Sequence, residues 1–280
     1  MEKVSIIIPA YNEEKTIGNL IDELKTQMKE YEYEIIVVDD GSKDNTAKVV
    51  KEKDVVLIQL AKNKGYGWAI KTAIKKVKYD IIAIIDADGT YPTSEMPNLI
   101  KYISEYDMVV GTRNKRKLPL NRRPAKFFLN MLANYLTEVE IPDLNSGMRV
   151  FKKDVALKFF SILPDRFSFT ITITLAMLTN DYLVKFVPID YFQRKGKSKI
   201  RPIRDTYNFI LLIIRTVMYF NPLKIFIPLS IILFLIAMIV FCYSNFVLHK
   251  VMDISVIVIL MSAVQIAAIG LLADLVDKRS

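Results

Sequence analysis

Short apolar runs alternate with amphipathic stretches over residues 1 to about 110. Val4–Ile8, Glu34–Val38, Val55–Leu60, Ile81–Ile85 and Met108–Val110 predict strands. Between the first two, Ile17, Leu20, Ile21, Leu24 and Met28 recur at helical spacing, and Ala69 to Val77 predicts another helix. Strands alternating with helices predict an α/β, Rossmann-like domain, with a mostly parallel sheet and helices on both faces. Ligands of such sheets bind beyond the carboxyl ends of the strands, so the residues after each strand are the first candidates for function.

The pattern loosens between about 112 and 200. A basic cluster, Lys115, Arg116, Lys117, Arg122, Arg123 and Lys126, leads into a helical pattern with Phe127, Phe128, Met131, Leu132, Tyr135 and Leu136. That helix reads equally as a core element or as one lying on an anionic membrane surface. Farther on the pattern becomes clear again. Ile225 to Leu248 carries no charge over 24 positions, and Ile254 to Ala273 none over 20. Each can cross a hydrocarbon core of about 30 Å at about 1.5 Å per residue. The short connector predicts a transmembrane hairpin. Lys224 before it, and Lys278 and Arg279 after it, outweigh Lys250 in the connector, which predicts a cytoplasmic location for both outer ends and the N-terminal domain. Three segments are expected: a cytoplasmic catalytic domain at 1–200, an interfacial amphipathic segment at 201–222, and the hairpin at 223–280, with spans at about 225–248 and 254–273.

Composition narrows the chemistry. One cysteine, Cys242, lies inside an apolar run, so neither a disulfide nor a zinc cluster can form within the chain. One histidine, His249, lies beside the spans, which excludes a histidine base in the soluble part. The N-terminus enters an apolar strand pattern almost at once and lacks a signal-peptide layout. A formal net charge of +9 fits an anionic partner, yet no nucleic-acid module is present.

Acidic residues follow three of the predicted strands: Glu13 after the first, Asp39 and Asp40 after the second, Asp86 and Asp88 after the fourth. One such group reads as turn chemistry. Three together point to a ligand edge, and two carboxylates on either side of Ala87 can share a hard divalent cation with phosphate oxygens. The Gly65-Tyr66-Gly67 sequence does not complete a dinucleotide fingerprint and reads as a tight turn into a helix.

In order, PAYNEE, VVDDGSKDNT, NKGYGWAI, DADGTYP, GTR, DLNSGMR and RKGKSK resemble glycosyltransferase family 2, and more narrowly the polyprenyl-phosphate hexose synthases. The resemblance covers about residues 3 to 200 and implies a GT-A-like domain. Pro9, Tyr11, Glu13, Val38 and Asp40 resemble the nucleoside-binding turn. Asp86, Ala87 and Asp88 resemble the diphosphate motif, whose two carboxylates hold Mg2+ or Mn2+. Thr90 stands where the mannose synthases often carry a metal-binding glutamine. Arg113, Arg149, Arg194, Ser198 and Lys199 are the implied contacts of an acceptor phosphate, and Asp88, Arg113, Asp143, Arg194 and Lys199 the implied catalytic set. Asp143 and Arg149 also read as a structural Asp–Arg pair holding their loop.

The implied activity is inverting transfer of a hexose from a nucleotide-sugar to a dolichyl or polyprenyl phosphate at a lipid bilayer. GDP-mannose is the favoured donor, with UDP-glucose or a UDP-N-acetylhexosamine as alternatives. A non-catalytic protein that binds or moves lipid-linked sugar is the alternative from another class, and the hairpin offers a surface for a homo-oligomer. No QxxRW-type motif of processive polysaccharide synthases is present; the only tryptophan is Trp68.

Overall fold

The computed structural model describes residues 2–113, 131, 133–135, 137–165, 168–192, 211, 214, 218–219, 221–247 and 254–277. The expected helix at 127–136 falls mostly outside these residues, as does the interfacial segment at 201–222; the basic sequence at 194–199 falls wholly outside them. The chain divides into two compact units, 1–210 and 211–280.

The first unit is built on one seven-stranded sheet. Its strands are β1 (Lys3–Ala10), β2 (Glu32–Asp39), β3 (Val56–Gln59), β4 (Ile81–Ile84), β5 (Met108–Arg113), β6 (Arg149–Lys152) and β7 (Val184–Ile189), in the order β3-β2-β1-β4-β6-β5-β7. All run parallel except β6, which pairs antiparallel with both β4 and β5. The five strands expected from the apolar runs are all present; β6 and β7 are additions. β6 has four residues, too few for a visible alternation, and its first is a fully buried arginine.

Helices α1 (Ile17–Gln27), α2 (Thr46–Lys51), α3 (Tyr66–Ile74), α4 (Glu95–Ile100), α5 (Lys153–Lys158) and α6 (Phe169–Thr179) complete the unit. In α1, Ile17, Leu20, Ile21 and Leu24 form the buried stripe, packed with Ile6, Ile8 and Val37 of the sheet. Burying each such side chain contributes about 1.5–3 kcal/mol before entropy is counted. α6 carries Thr and Ile in alternation, a strand-like pattern, yet it is helical and buried on all sides. Its hydroxyls turn back on the helix: Thr172 donates to the Ser168 carbonyl at 3.1 Å, and Thr174 to that of Thr170 at 2.8 Å. These bonds satisfy polar groups that burial would otherwise strand.

Register places the functional edge. Pro9 lies level with Val38, and Ala10 with Asp39, so β1 and β2 end together. Ile84 at the end of β4 lies level with Arg149 at the start of β6. Because β6 runs backwards, the residues that precede it arrive at the edge where the parallel strands finish.

In the second unit α7 (Leu223–Phe246) and α8 (Ile254–Asp277) pair as a hairpin. The first starts two residues before the expected span, and the second runs on to Asp277. Both are long and apolar enough to cross a membrane. Small residues mediate the contact: Ala237 and Ala263 are buried, and Ser230 donates to the Ala263 carbonyl at 2.8 Å. Gly270 lies so close to Phe226 that an added Cβ would stand 2.5 Å from the Phe226 Cβ. Close backbone approach of this kind is how apolar helices associate where lipid offers no hydrophobic drive. Outward-facing Leu235, Ile239, Phe246, Ile254 and Leu272 are exposed.

Candidate active site

Three strand-end loops are tied to one another at the carboxyl edge. The loop after β1 meets the loop after β2 through reciprocal bonds. Asn12 N donates to Ser42 Oγ at 2.9 Å, Lys43 N to Asn12 Oδ1 at 2.8 Å, and Glu13 N to Thr46 Oγ1 at 2.9 Å. Asn12 takes a left-handed φ of 56°, a conformation asparagine tolerates better than most residues. The loop after β4 joins through Thr16, whose hydroxyl donates to the Ala87 carbonyl at 2.7 Å. Pro9, Tyr11, Glu13, Val38, Asp40, Asp86, Ala87 and Asp88 are thereby gathered on one edge, drawn from three stretches of sequence. A cavity of about 640 Å3 opens beside them, lined in part by Glu13, Thr16, Asp88, Gly89, Tyr91 and Phe192.

The two aspartates of the second loop divide the work. Asp40 accepts from Lys64 N at 2.7 Å and from Gly65 N at 2.8 Å, and so pins the turn into α3. Gly65 holds a φ of 113° there, which a residue with a Cβ rarely adopts. Asp39, a strand-end carboxylate that the resemblance leaves out of the nucleoside-binding set, accepts from Ser42 N through Oδ1 at 3.0 Å. Its Oδ2 is buried and has no hydrogen-bond partner among the described residues. A buried lone carboxylate oxygen is costly unless a donor completes it.

Asp86 and Asp88 follow β4 as expected. Asp86 accepts from the Tyr66 hydroxyl at 2.9 Å. Its other oxygen faces Gly147, where an added Cβ would overlap the carboxylate. Burial, reinforced by the Asp88 charge, raises the Asp86 pKa to about 6 against the opposing Tyr66 bond. Asp88 Oδ1 accepts from the Thr90 hydroxyl at 2.6 Å. The position where the resemblance puts a metal-binding glutamine thus bonds to the carboxylate beside it. The described residues hold no cluster of three or more acidic, histidine or cysteine ligands. Two neighbouring carboxylates, Asp88 on the wall of the cavity and Asp86 behind it, fit a cation that takes its other ligands from water and a diphosphate.

Arg113 and Asp143 form a two-pronged pair. Arg113 Nε reaches Asp143 Oδ2 at 2.6 Å, and its Nη2 reaches Oδ1 at 2.7 Å. Burial opposes the Arg113 charge, but the Asp143 hydrogen bonds outweigh it, and its pKa lies above the ordinary value. The guanidinium also stands 5.3 Å from the centre of the Tyr191 ring, which packs edge-on against Tyr91 at 5.2 Å. Tyr91 in turn accepts from Gly147 N at 2.7 Å. Phe192 N donates to the Thr90 carbonyl at 2.8 Å, fastening the end of the described segment to the aspartate loop.

The structure corrects the expected role of Arg149. It does pair with its loop, but not with Asp143. It is fully buried, donating to the Thr170 carbonyl at 2.9 Å, to Thr174 Oγ1 at 3.0 Å and to the Ser146 carbonyl at 2.6 Å. Burial lowers its pKa, and a side chain so placed holds the loop rather than presenting its charge to an acceptor. The structural Asp–Arg pair is formed instead between Asp143 and Arg113, thirty residues apart. Arg194, Ser198 and Lys199 lie outside the described residues.

Tyr66, Gly147, Tyr91 and Tyr191 are the site residues that sequence reasoning missed. Tyr66 stood in a motif read as a turn, and Trp68, two residues on, carries Lys64 Nζ 4.3 Å above its ring.

Comparison with known proteins identifies the family and the fold. The glycosyl transferase family 2 model matches residues 5–160, and the GtrB C-terminal hairpin model matches 221–277. An uncharacterized protein of Methanocaldococcus jannaschii is 30% identical over 226 residues, covering 75% of this chain and 92% of its own length. A low-salt glycan biosynthesis hexosyltransferase of Haloferax volcanii is 28% identical over 74% of this chain. An undecaprenyl-phosphate 4-deoxy-4-formamido-L-arabinose transferase of Pseudomonas fluorescens is 32% identical over 54% of it. The chain spans about half the length of these two relatives, 52% and 47%. Among solved structures, glucosyl-3-phosphoglycerate synthase from Mycobacterium tuberculosis, in complex with Mn2+, UDP and phosphoglyceric acid, superposes with a TM-score of 0.63. It is 18% identical and covers 77% of this chain and 78% of its own, a likeness of fold.

Proposed function

The chain belongs to glycosyltransferase family 2, and from that premise we propose that it transfers a hexose from a nucleotide-sugar to a polyprenyl phosphate at a membrane surface. The observation that carries this reading is the pairing, in one chain, of the Asp86–Asp88 edge with an apolar hairpin of the GtrB type. A relative named for an undecaprenyl-phosphate acceptor supports it. The prenyl chain leaves the bilayer only at about 0.8 kcal/mol per exposed CH2, so an enzyme using it must work at the interface. The positive residues flanking the hairpin favour cytoplasmic placement of both ends and of the catalytic unit. A homo-oligomer is no part of the reading.

The donor nucleoside fits the edge formed by Pro9, Tyr11, Glu13, Val38 and the buried Asp39, whose lone oxygen can accept a nucleobase N–H. Asp86 and Asp88 would hold Mg2+ or Mn2+, which when bound offsets the charge developing on the leaving diphosphate. The acceptor phosphate is already anionic near neutral pH, its second pKa being about 6, so the reaction needs no histidine base. It needs the attacking anion aligned beside another anion. Asp143 fixes the Arg113 guanidinium by two of its N–H groups and leaves others for a phosphate oxygen. Asp143 therefore acts as the holder of Arg113, and the sequence resemblance adds Arg194, Ser198 and Lys199 as further candidates for phosphate contact. The sequence resemblance favours GDP-mannose; a UDP complex among the solved neighbours sets UDP-glucose and UDP-N-acetylhexosamine beside it.

Membranes carrying the protein, given polyprenyl phosphate and a panel of radiolabelled GDP- and UDP-sugars, test the proposal. One donor should yield an organic-soluble, acid-labile product. Label that remains in a water-soluble polymer or on protein would show that the acceptor is wrong.

A further inference from the structure

Tyr66 belongs to a motif that the proposed reaction leaves without a part. The residue opens α3, directly after the positive-φ Gly65, and its approach is fixed from both sides. Behind it, Asp40 holds the backbone N–H groups of Lys64 and Gly65; ahead of it, Trp68 N donates to the Asp165 carbonyl at 2.7 Å. The phenol is aimed from this anchored turn at a single group, Asp86 Oδ1, 2.9 Å away. Against the other oxygen of the same carboxylate stands Gly147, with no room for a side chain between them. Gly147 is itself tethered, its N–H donating to the Tyr91 hydroxyl at 2.7 Å.

An aspartate χ2 is a broad, two-fold torsion with little preference of its own. Asp86 nevertheless has one oxygen held by a hydroxyl and the other confined by a backbone. We infer that Tyr66 and Gly147 form a two-sided clamp on the Asp86 carboxylate, and that Tyr66 is a positioning residue that sets its orientation for the metal-bound diphosphate of the donor. The inference rests on the proposed donor site and adds to it the residue that orders one of its two carboxylates. A carboxylate fixed in advance loses no torsional freedom when the donor arrives, and affinity gains by that amount. If the phenol merely found a convenient acceptor, its hydroxyl would matter to stability and leave cation binding untouched.

Tyr66→Phe keeps the ring and removes only the hydroxyl. The measurement is Mn2+ binding to the purified full-length protein in detergent, followed by electron paramagnetic resonance with UDP and separately with GDP. Thermal unfolding is recorded in parallel. Hydrogen bonds to charged groups imply that Tyr66→Phe weakens Mn2+ binding about tenfold in the presence of the productive nucleotide. On an Asp86→Asn background the same change should add nothing, because the effect passes through that carboxylate. Gly147→Ala tests the other jaw, and should weaken Mn2+ binding while its own N–H still reaches Tyr91. Unchanged Mn2+ affinity in Tyr66→Phe overturns the inference, as does an undiminished effect in the double variant. Asp88→Asn separates this from failure of the donor site. If it alone loses Mn2+, the donor site stands and the clamp falls; if wild-type protein shows no nucleotide-dependent Mn2+ binding, both fall.

Discussion

The carboxyl edge of the sheet and the hairpin each carry a glycine pressed against another side chain, and the two glycines serve different ends. At Gly147 the neighbour is the Asp86 carboxylate, and around it hydrogen bonds from several loops fix where each polar atom lies. At Gly270 the neighbour is Phe226, and what is fixed is only how closely two apolar helices approach. A directed network fails when one atom moves. A packed apolar seam tolerates a shift, because dispersion contacts can re-form at a slightly different spacing.

The comparison breaks most sharply on matched substitutions. Gly147→Ala should lower turnover about 100-fold or more, since displacing a carboxylate from the reacting diphosphate removes at least about 2.7 kcal/mol of transition-state stabilisation. Gly270→Ala should leave kcat within about twofold and lower only the unfolding temperature in detergent. Equal losses of turnover in both variants would refute the distinction. Next in size is Asp143→Asn. It keeps the shape of the pair but removes the charge, leaving Arg113 to one weaker bond, and should reduce kcat/KM for the lipid acceptor about tenfold with donor KM unchanged. A rise confined to donor KM would place Arg113 on the wrong substrate.

A smaller effect follows from pH. With its folded pKa raised to about 6, Asp86 gains a proton as pH falls through that value, so Mn2+ affinity should decline below about 6. The stability of the metal-free fold should respond in the opposite sense. A carboxyl whose folded pKa exceeds its unfolded value opposes folding once ionised, so acidification from about 6 toward the unfolded pKa removes that penalty. Cation titrations and unfolding curves across pH 4.5–7.5 check both signs (roughly the span in which this group titrates). The smallest change is expected of Ser230→Ala, which deletes one interhelical bond to the Ala263 carbonyl. Bonds of this kind average about 0.6 kcal/mol, which differential scanning in detergent can resolve.

Short apolar runs between amphipathic stretches made the parallel strands readable, and unbroken charge-free length made the hairpin readable. The antiparallel strand and the last helix of the first unit were harder. FTITIT alternates like a strand but is wrapped on all sides, so burial rather than period decides its state. β6 is short and opens on an arginine that folding buries among carbonyls. The aspartate loops stood out because acidic residues at strand ends are local signals. The partners of those aspartates are not local: Tyr66 lies twenty residues before Asp86, and Gly147 far after it. Asp143 was set beside Arg149 by proximity in sequence, whereas the sheet joins it to Arg113.

Trp68 has a use outside catalysis. It is the only tryptophan in 280 residues, it sits on the first turn of the helix that Tyr66 opens, and an ammonium group rests over its ring. Indole emission is sensitive to a nearby charge and to the polarity around it. The backbone of that same lysine is held by Asp40, at the rim where the nucleoside is proposed to bind. The protein thus carries its own optical reporter: donor occupancy can be read as a change in intrinsic fluorescence, without a label and without turnover, in every variant that leaves α3 in place.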